Sequence, residues 1–198
     1  MHISEGDRLG ELCLEVAACE ICAAHLPHLP RPVVRASHSA RVLVVGQAPG
    51  TKVHESGVPW DDASGVRLRQ WLGVETEVFY DVTRIAIVPM GFCYPGRGKS
   101  GDLPPRPECA PQWHVSLLAE MPAIELTLLI GQYAQAYYLK ERRKENLTET
   151  VRAWREYAPQ YLPLPHPSPR NNLWLKRNAF FADEVVPELQ QRVRELLY

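Results

Sequence analysis

The run Arg41-Val42-Leu43-Val44-Val45-Gly46-Gln47-Ala48-Pro49-Gly50 sets the fold class. It opens as an uninterrupted β-branched and aliphatic segment and stops at a Gly/Pro turn. A strand that is apolar at every position rather than at alternate ones is buried on both faces, as in a parallel sheet with helices on each side. The same layout recurs downstream. Arg84-Ile85-Ala86-Ile87-Val88 runs into a loop from Pro89 to Pro107, and Leu126-Thr127-Leu128-Leu129-Ile130 ends at Gly131. Tyr161-Leu162-Pro163-Leu164-Pro165 is a fourth, proline-bearing strand, whose prolines place it at an edge or a strand end, and it stops before His166. Helical spacing predicts helices over about Gly10–Ala24, Ala63–Leu72, Trp113–Met121, Gln132–Leu139, Leu147–Tyr157 and Phe180–Leu197. The segment from Gln47 to Asp62 reads as a long loop. Strands alternating with helices give a single α/β domain over residues 1–198, a three-layer α/β/α sandwich on a short, mostly parallel sheet. In such sheets ligands bind beyond the carboxyl ends of the strands, so the loops starting at Gly46, Pro89, Gly131 and His166 are expected on one edge.

Composition narrows the function classes. The chain has 198 residues, 45% hydrophobic and 23% charged, with a formal net charge of −1. No apolar run approaches the roughly 20 residues that span a bilayer. Met1 to Asp7 lacks the basic-then-apolar layout of a secretory leader, so a cytoplasmic monomer is the expectation. A net charge near zero does not announce nucleic acid, and any DNA contact must come from local basic clusters. Arg97 and Lys99 in a Gly-rich loop, and Arg170, Lys176 and Arg177 on or after the last strand's loop, would form such a rim if these loops share an edge. Arg142-Arg143-Lys144 reads as a solvated helix end. In a cytoplasmic chain, Cys19-x-x-Cys22 with two later cysteines reads more readily as a metal or cofactor set than as disulfides. The first loop lacks both the dinucleotide GxGxxG and the P-loop lysine, which argues against a generic nucleotide-binding domain.

Two motifs carry the functional reading. Gly46-Gln47-Ala48-Pro49-Gly50 follows the first strand, and His166-Pro167-Ser168-Pro169-Arg170-Asn171 follows the last. In this order and separation they resemble the uracil-DNA glycosylase superfamily, in which the first strand ends in a Gly-x-x-Pro loop and the last in a His-Pro-Ser loop. The resemblance runs from about Cys19 to the C-terminus. His-Pro-Ser-Pro-Arg-Asn, Gly57-Val58-Pro59-Trp60 and Arg69-Gln70-Trp71-Leu72-Gly73 are most similar to the single-strand-selective branch. Ala48 and the cysteines are more similar to the iron–sulfur branches, families 4 and 5.

The resemblance implies excision of a deaminated base, uracil foremost, from DNA without a diffusible cofactor. His166 is the implied stabiliser of the leaving anion. The third position of the first loop, where several branches carry a water-handling Asp or Asn, is Ala48 here. The family 5 pattern then implies Asp62, within Asp62-Ala63-Ser64-Gly65, as the water-orienting carboxylate, with Asp61 as the alternative. Asp62 is equally suited to cap the following helix. Trp60 falls at the implied base-stacking position or is a core tryptophan. Gln47, Ala48, Pro49 and Gly50 form the implied pocket wall, and His54 and Glu55 follow in the same loop. Ser168 and Asn171 suit phosphate oxygens. Leu173 or Trp174 is placed to wedge into the duplex or to pack in the core.

This chain also departs from the pattern. Many members end the second strand in an Asn that reads the uracil edge. Here Pro89-Met90-Gly91 follows, so reading falls to main-chain groups near Met90 and Gly91, and other deaminated bases stay open. Cys19, Cys22, Cys93 and Cys109 resemble the 4Fe–4S ligand set, though four thiolates equally suit zinc. Cys13 is read as a bystander, and His25 and His28 as lesser ligand candidates. Ala48 and the missing Asn also leave open a non-catalytic or covalently trapping DNA-binding protein of the same fold.

Overall fold

The computed structural model describes residues 7–99 and 101–198, so the leader reading of the first residues lies outside the described part. In chain order the elements are α1 (Arg8–Ala17), β1 (Val42–Val45), α2 (Thr51–Ser56), α3 (Ala63–Leu72), α4 (Thr76–Phe79) and β2 (Ile85–Ile87). A small hairpin of β3 (Arg97–Gly98) and β4 (Gly101–Asp102) follows, then α5 (Cys109–Ala119), β5 (Leu126–Ile130) and α6 (Gly131–Leu139). The chain ends with α7 (Leu147–Arg152), β6 (Tyr161–Leu164), α8 (Asn172–Arg177) and α9 (Val186–Leu197).

The central sheet has the order β2-β1-β5-β6, and every neighbouring pair is parallel. Side-chain alternation along β1 builds two cores. Val42 and Val44 face one side with Leu68 and Leu72 of α3 and Leu189 and Val193 of α9. Leu43 and Val45 face the other with Leu9, Leu12 and Val16 of α1 and Trp113 and Leu117 of α5. The result is the three-layer α/β/α arrangement. β6 lies at the sheet edge, where prolines are tolerated because the outward side needs no ladder donor. The connection from β1 leads to β2 on one side and that from β5 leads to β6 on the other. The C-terminal ends of β1 and β5 therefore flank the crevice where open α/β sheets bind ligands.

Several boundaries differ from the expectations. The predicted Gly10–Ala24 helix ends at Ala17, one residue past the last position buried on α1, Val16, and Ile21 beyond it is 57% exposed. The expected Gln47–Asp62 loop contains α2, closed by Gly57 in the left-handed conformation (φ 72°). The helix expected from Trp113 starts at Cys109, and that expected over Leu147–Tyr157 breaks into α7 and a 3₁₀ turn, Trp154–Tyr157. α8 forms in what reads as loop after the His166 motif. The last helix begins with a π-helical turn, Phe181–Val185, before Pro187 enters the first turn of α9. Among the described residues no helix is long and apolar enough to cross a membrane.

A buried histidine secures the loop after β2. His114 is 1% exposed; its Nε2 lies 2.9 Å from the Pro89 carbonyl oxygen and its Nδ1 lies 2.6 Å from the Tyr138 hydroxyl. A carbonyl only accepts, so Nε2 carries the proton and Tyr138 donates to Nδ1. Burial pushes the imidazole down to about 4. Between pH 6.5 and 4 the unfolded chain therefore binds a proton that the folded chain does not, and stability falls as pH is lowered through that window. This histidine alone is expected to remove on the order of 3 kcal/mol between pH 7 and pH 4. Denaturant titrations of the wild type and His114→Gln across that range check this: the variant should show a shallower loss, and parallel curves would contradict the assignment.

Candidate active site

A cleft of about 410 Å³ opens at the C-terminal end of the sheet, within the usual size range of small-ligand sites. Both motifs line it: Gly46, Gln47, Ala48, Pro49 and Gly50 from the β1 loop, and His166, Ser168, Arg170 and Asn171 from the β6 loop. Trp60, Asp62 and Ser64 come from the entry to α3, Pro89 from the β2 loop, and Gly101 and Asp102 from the hairpin. Val33 and Ile87 form part of its buried apolar floor.

His166 is set by its own loop. The Ser168 backbone N–H donates to His166 Nδ1 at 3.2 Å, and Asn171 Nδ2 donates to the His166 carbonyl at 2.7 Å. An Nδ1 that accepts carries no proton, so the neutral ring bears its hydrogen on Nε2. Burial holds this imidazole below the ordinary histidine range, while the Asp62 and Asp102 carboxylates pull in the opposite direction. Behind the loop, Gln135 is fully buried on α6 and donates to the Leu164 carbonyl at 2.9 Å and toward that of Leu129 at 3.3 Å. It ties the ends of β5 and β6 together two residues before His166. Arg67 donates to the Ser168 carbonyl at 3.3 Å, joining the loop to α3.

Trp60 is held in a conformation that few tryptophans adopt, with φ at 59°. Its ring lies 5.7 Å from that of His166, centroid to centroid. Tyr80 donates to the Pro59 carbonyl at 2.9 Å, and Arg69 donates to the Trp60 carbonyl at 3.4 Å. Two glycines make room. A Cβ at Gly46 would fall 2.7 Å from Trp60 Cζ2, and one at Gly65 would overlap the Trp60 carbonyl. Strained backbone held in place by its surroundings is characteristic of functional sites.

Asp62 caps α3 and also lines the cleft. Its Oδ1 accepts from Gly65 N at 2.8 Å as the N-cap of α3, and the residue lines the cleft beside His166. Asp61 is exposed and is absent from the lining; its charge acts on Tyr80 instead. Ala48 sits in the wall with no polar side chain to offer. Gln47 Nε2 donates to the Leu103 carbonyl at 3.2 Å, which orients the amide and leaves Oε1 as acceptor.

Met90 and Gly91 do not fill the role expected of them. Their backbone N–H groups donate to Gly46 O and Gln47 O, each at 2.9 Å, and neither residue lines the cleft. The two strand-end loops are zipped together, so these donors are spent on the fold. Of the expected phosphate contacts, Ser168, Arg170 and Asn171 line the cleft. Arg97 and Lys99 are exposed on the hairpin, and Lys176 and Arg177 are exposed on α8, all outside the lining. Trp174 belongs to the core, donating to Thr148 Oγ1 at 2.8 Å, whereas Leu173 is 57% exposed. His54 and His28 stack 5.0 Å apart, and Tyr94 joins them.

Two polar residues of the cleft escaped the sequence reading. Ser64 is nearly buried yet lines the cleft, and its place two residues after Asp62 on α3 was a usable signal. Asp102 arrives from the hairpin, and no motif marks it.

The thiols of Cys19, Cys22, Cys93 and Cys109 lie within electrostatic reach of one another. Cys22, Cys93 and Cys109 are buried and Cys19 is half-buried. Burial pushes the Cys93 thiol up to about 12 and that of Cys109 up to about 11. The Phe92 backbone N–H points at Cys109 Sγ at 3.5 Å. Among the described residues, no three His, Cys, Asp or Glu side chains group closely enough to hold a single metal ion. Cys13 stands apart on α1.

With this geometry in view, the comparisons with known proteins place the chain. The model of the uracil DNA glycosylase superfamily matches residues 34–190, and the chain belongs to that superfamily. Among solved structures it is similar to a candidate uracil DNA glycosylase from Methanosarcina acetivorans, at 17% identity and a TM-score of 0.46, covering 83% of this chain and 96% of that one. It is also similar to wild-type SMUG2 of Pedobacter heparinus, at 14% identity and a TM-score of 0.44, covering 77% of this chain and 76% of that one.

Proposed function

We propose that this protein hydrolyses the N-glycosidic bond of a deaminated base in DNA, with uracil the first candidate. The observation that carries the reading is His166, a neutral Nε2–H donor sharing one cleft with Asp62 and Trp60. A base flipped out of the helix would stack on Trp60. As the C1′–N bond breaks, its electron pair moves onto the base, and His166 Nε2–H bonds the carbonyl oxygen where that charge collects. Asp62 keeps lone pairs free beyond its capping bond, and these can orient a water. The water oxygen bonds C1′, its proton passes through Asp62 to solvent, and the base takes a proton from solvent. Gln47 Oε1 and the Ser64 hydroxyl are acceptors suited to the ring N–H that uracil, hypoxanthine and xanthine all carry. They stand in for the missing Asn and do not by themselves separate these bases.

A second reading, binding without turnover, is favoured by one observation: Ala48 occupies the position where other branches handle water. Oligonucleotides carrying uracil, hypoxanthine or xanthine, single- and double-stranded, separate the two. Abasic product is expected from the wild type, with rates lower by at least about 10²-fold in His166→Ala and in Asp62→Asn. Absence of abasic product from every oligonucleotide contradicts the enzymatic reading. Uracil-DNA binding without cleavage, or a heat-stable protein–DNA adduct, would support the binding or trapping alternative.

We also propose that Cys19, Cys22, Cys93 and Cys109 hold a 4Fe–4S cluster. An all-cysteine set suits such a cluster, and the same four thiolates would suit a zinc ion as the alternative. The cluster's role would be structural, tying the N-terminal segment to the β2 loop and to the start of α5. Protein purified without oxygen is expected to be brown, with about four irons per chain. It should lose both colour and thermal stability in Cys93→Ser. Stoichiometric zinc without iron would contradict the assignment.

A further inference from the structure

The cleft has a gradient of exposure that predicts how a nucleotide would lie in it. Its floor is buried: Val33, Ser64, Ile87 and Pro89. Its lip is exposed and includes Asp102 and Arg170. Trp60 and His166 stand between floor and lip, both partly buried. A base that stacks on Trp60 and meets His166 reaches toward the floor. The sugar attached to it then lies at the level of the lip.

The hairpin is fastened to the β1 loop by the Gln47–Leu103 hydrogen bond. Asp102 Oδ2 packs close over Gly50, 3.4 Å from where a Cβ would stand. The Arg170 guanidinium lies across the neighbouring Gly101, whose φ of 140° is one that favours glycine. The Asp102 carboxylate thus lies between the β1 and β6 motifs, and it acts electrostatically on His166 together with Asp62.

Breaking the C1′–N bond leaves negative charge on the base and positive charge on the sugar. His166 answers the first. Asp62 has one oxygen committed to Gly65 N–H and, on the reading above, a water to orient. We propose that Asp102 is a second carboxylate of the site, facing the sugar and stabilising the positive charge that develops on it. It takes up no proton and forms no bond in the reaction; its contribution is fixed negative charge. The inference rests on the glycosylase reading. It has a distinctive consequence, because a carboxylate at the lip also repels the DNA phosphates. Removing it should slow the chemistry while leaving binding intact or tightening it.

The test uses the full chain and an oligonucleotide with a single deoxyuridine, read under single turnover, plus the 2′-fluoro analogue, which resists cleavage, for binding. Asp102→Asn is expected to lower the excision rate by roughly 10-fold to 10²-fold, with the dissociation constant for the 2′-fluoro strand unchanged or smaller. Asp102→Glu, which keeps the charge, should recover part of the rate. An excision rate in Asp102→Asn equal to or above wild type overturns the proposal. So does a parallel loss of rate and binding, or an Asp102→Glu variant no faster than Asn, since either means that Asp102 only shapes the hairpin. Wild-type protein inactive on every damaged strand would sink the glycosylase reading and this inference with it. An active wild type matched by Asp102→Asn sinks this inference alone.

Discussion

The Ser168 N–H that donates to His166 Nδ1 decides what the cleft can do. Without that bond the imidazole has two neutral tautomers to choose from, and only the one protonated on Nε2 offers a donor while Nδ1 serves the loop. The bond is local, two residues apart, and Pro167 and Pro169 limit the backbone on either side of Ser168. Burial acts in the same direction by holding the ring neutral. A neutral donor suits a leaving anion: it stabilises developing charge without first being an ion that the buried site would have to solvate.

The opposite wall depends on close packing. Trp60 can stand beside His166 only because Gly46 lies under its ring and Gly65 under its carbonyl. Gly65 has a second task, since its N–H is the one that Asp62 caps. The capping bond, the strained Trp60 backbone and the Arg69 and Tyr80 bonds that hold it form one unit at the entry to α3. Replacing Gly65 would therefore disturb Trp60 and Asp62 together.

Much of this was legible in the sequence, for physical reasons that can be named. The strands are short, apolar throughout and punctuated by Gly, Pro or His, so their positions and parallel arrangement follow from pattern alone. α3 was read to the residue because Asp62 and Gly73 are strong start and stop signals. His166, Asp62 and Trp60 were found through motifs, and they do share a cleft. The misses are tertiary. Nothing in Met90-Gly91 says that its N–H groups are taken by Gly46 and Gln47 across a loop contact. Asp102 sits on a hairpin with no motif, and only the path of the chain brings it to the lip. α2 has six residues and no apolar periodicity to betray it. The expected first helix runs too far because Ala, Ile and Cys continue an apolar pattern past the end of α1.

The claim at the centre of this account is the state of one imidazole, and nitrogen-15 NMR of histidine-labelled protein reads it directly. His166, assigned by comparison with His166→Ala, should show a pyridine-like Nδ1 and a pyrrole-like Nε2 at neutral pH. Its titration should lie below the ordinary histidine range. A proton on Nδ1, or a ring that is already charged at neutral pH, would contradict the account.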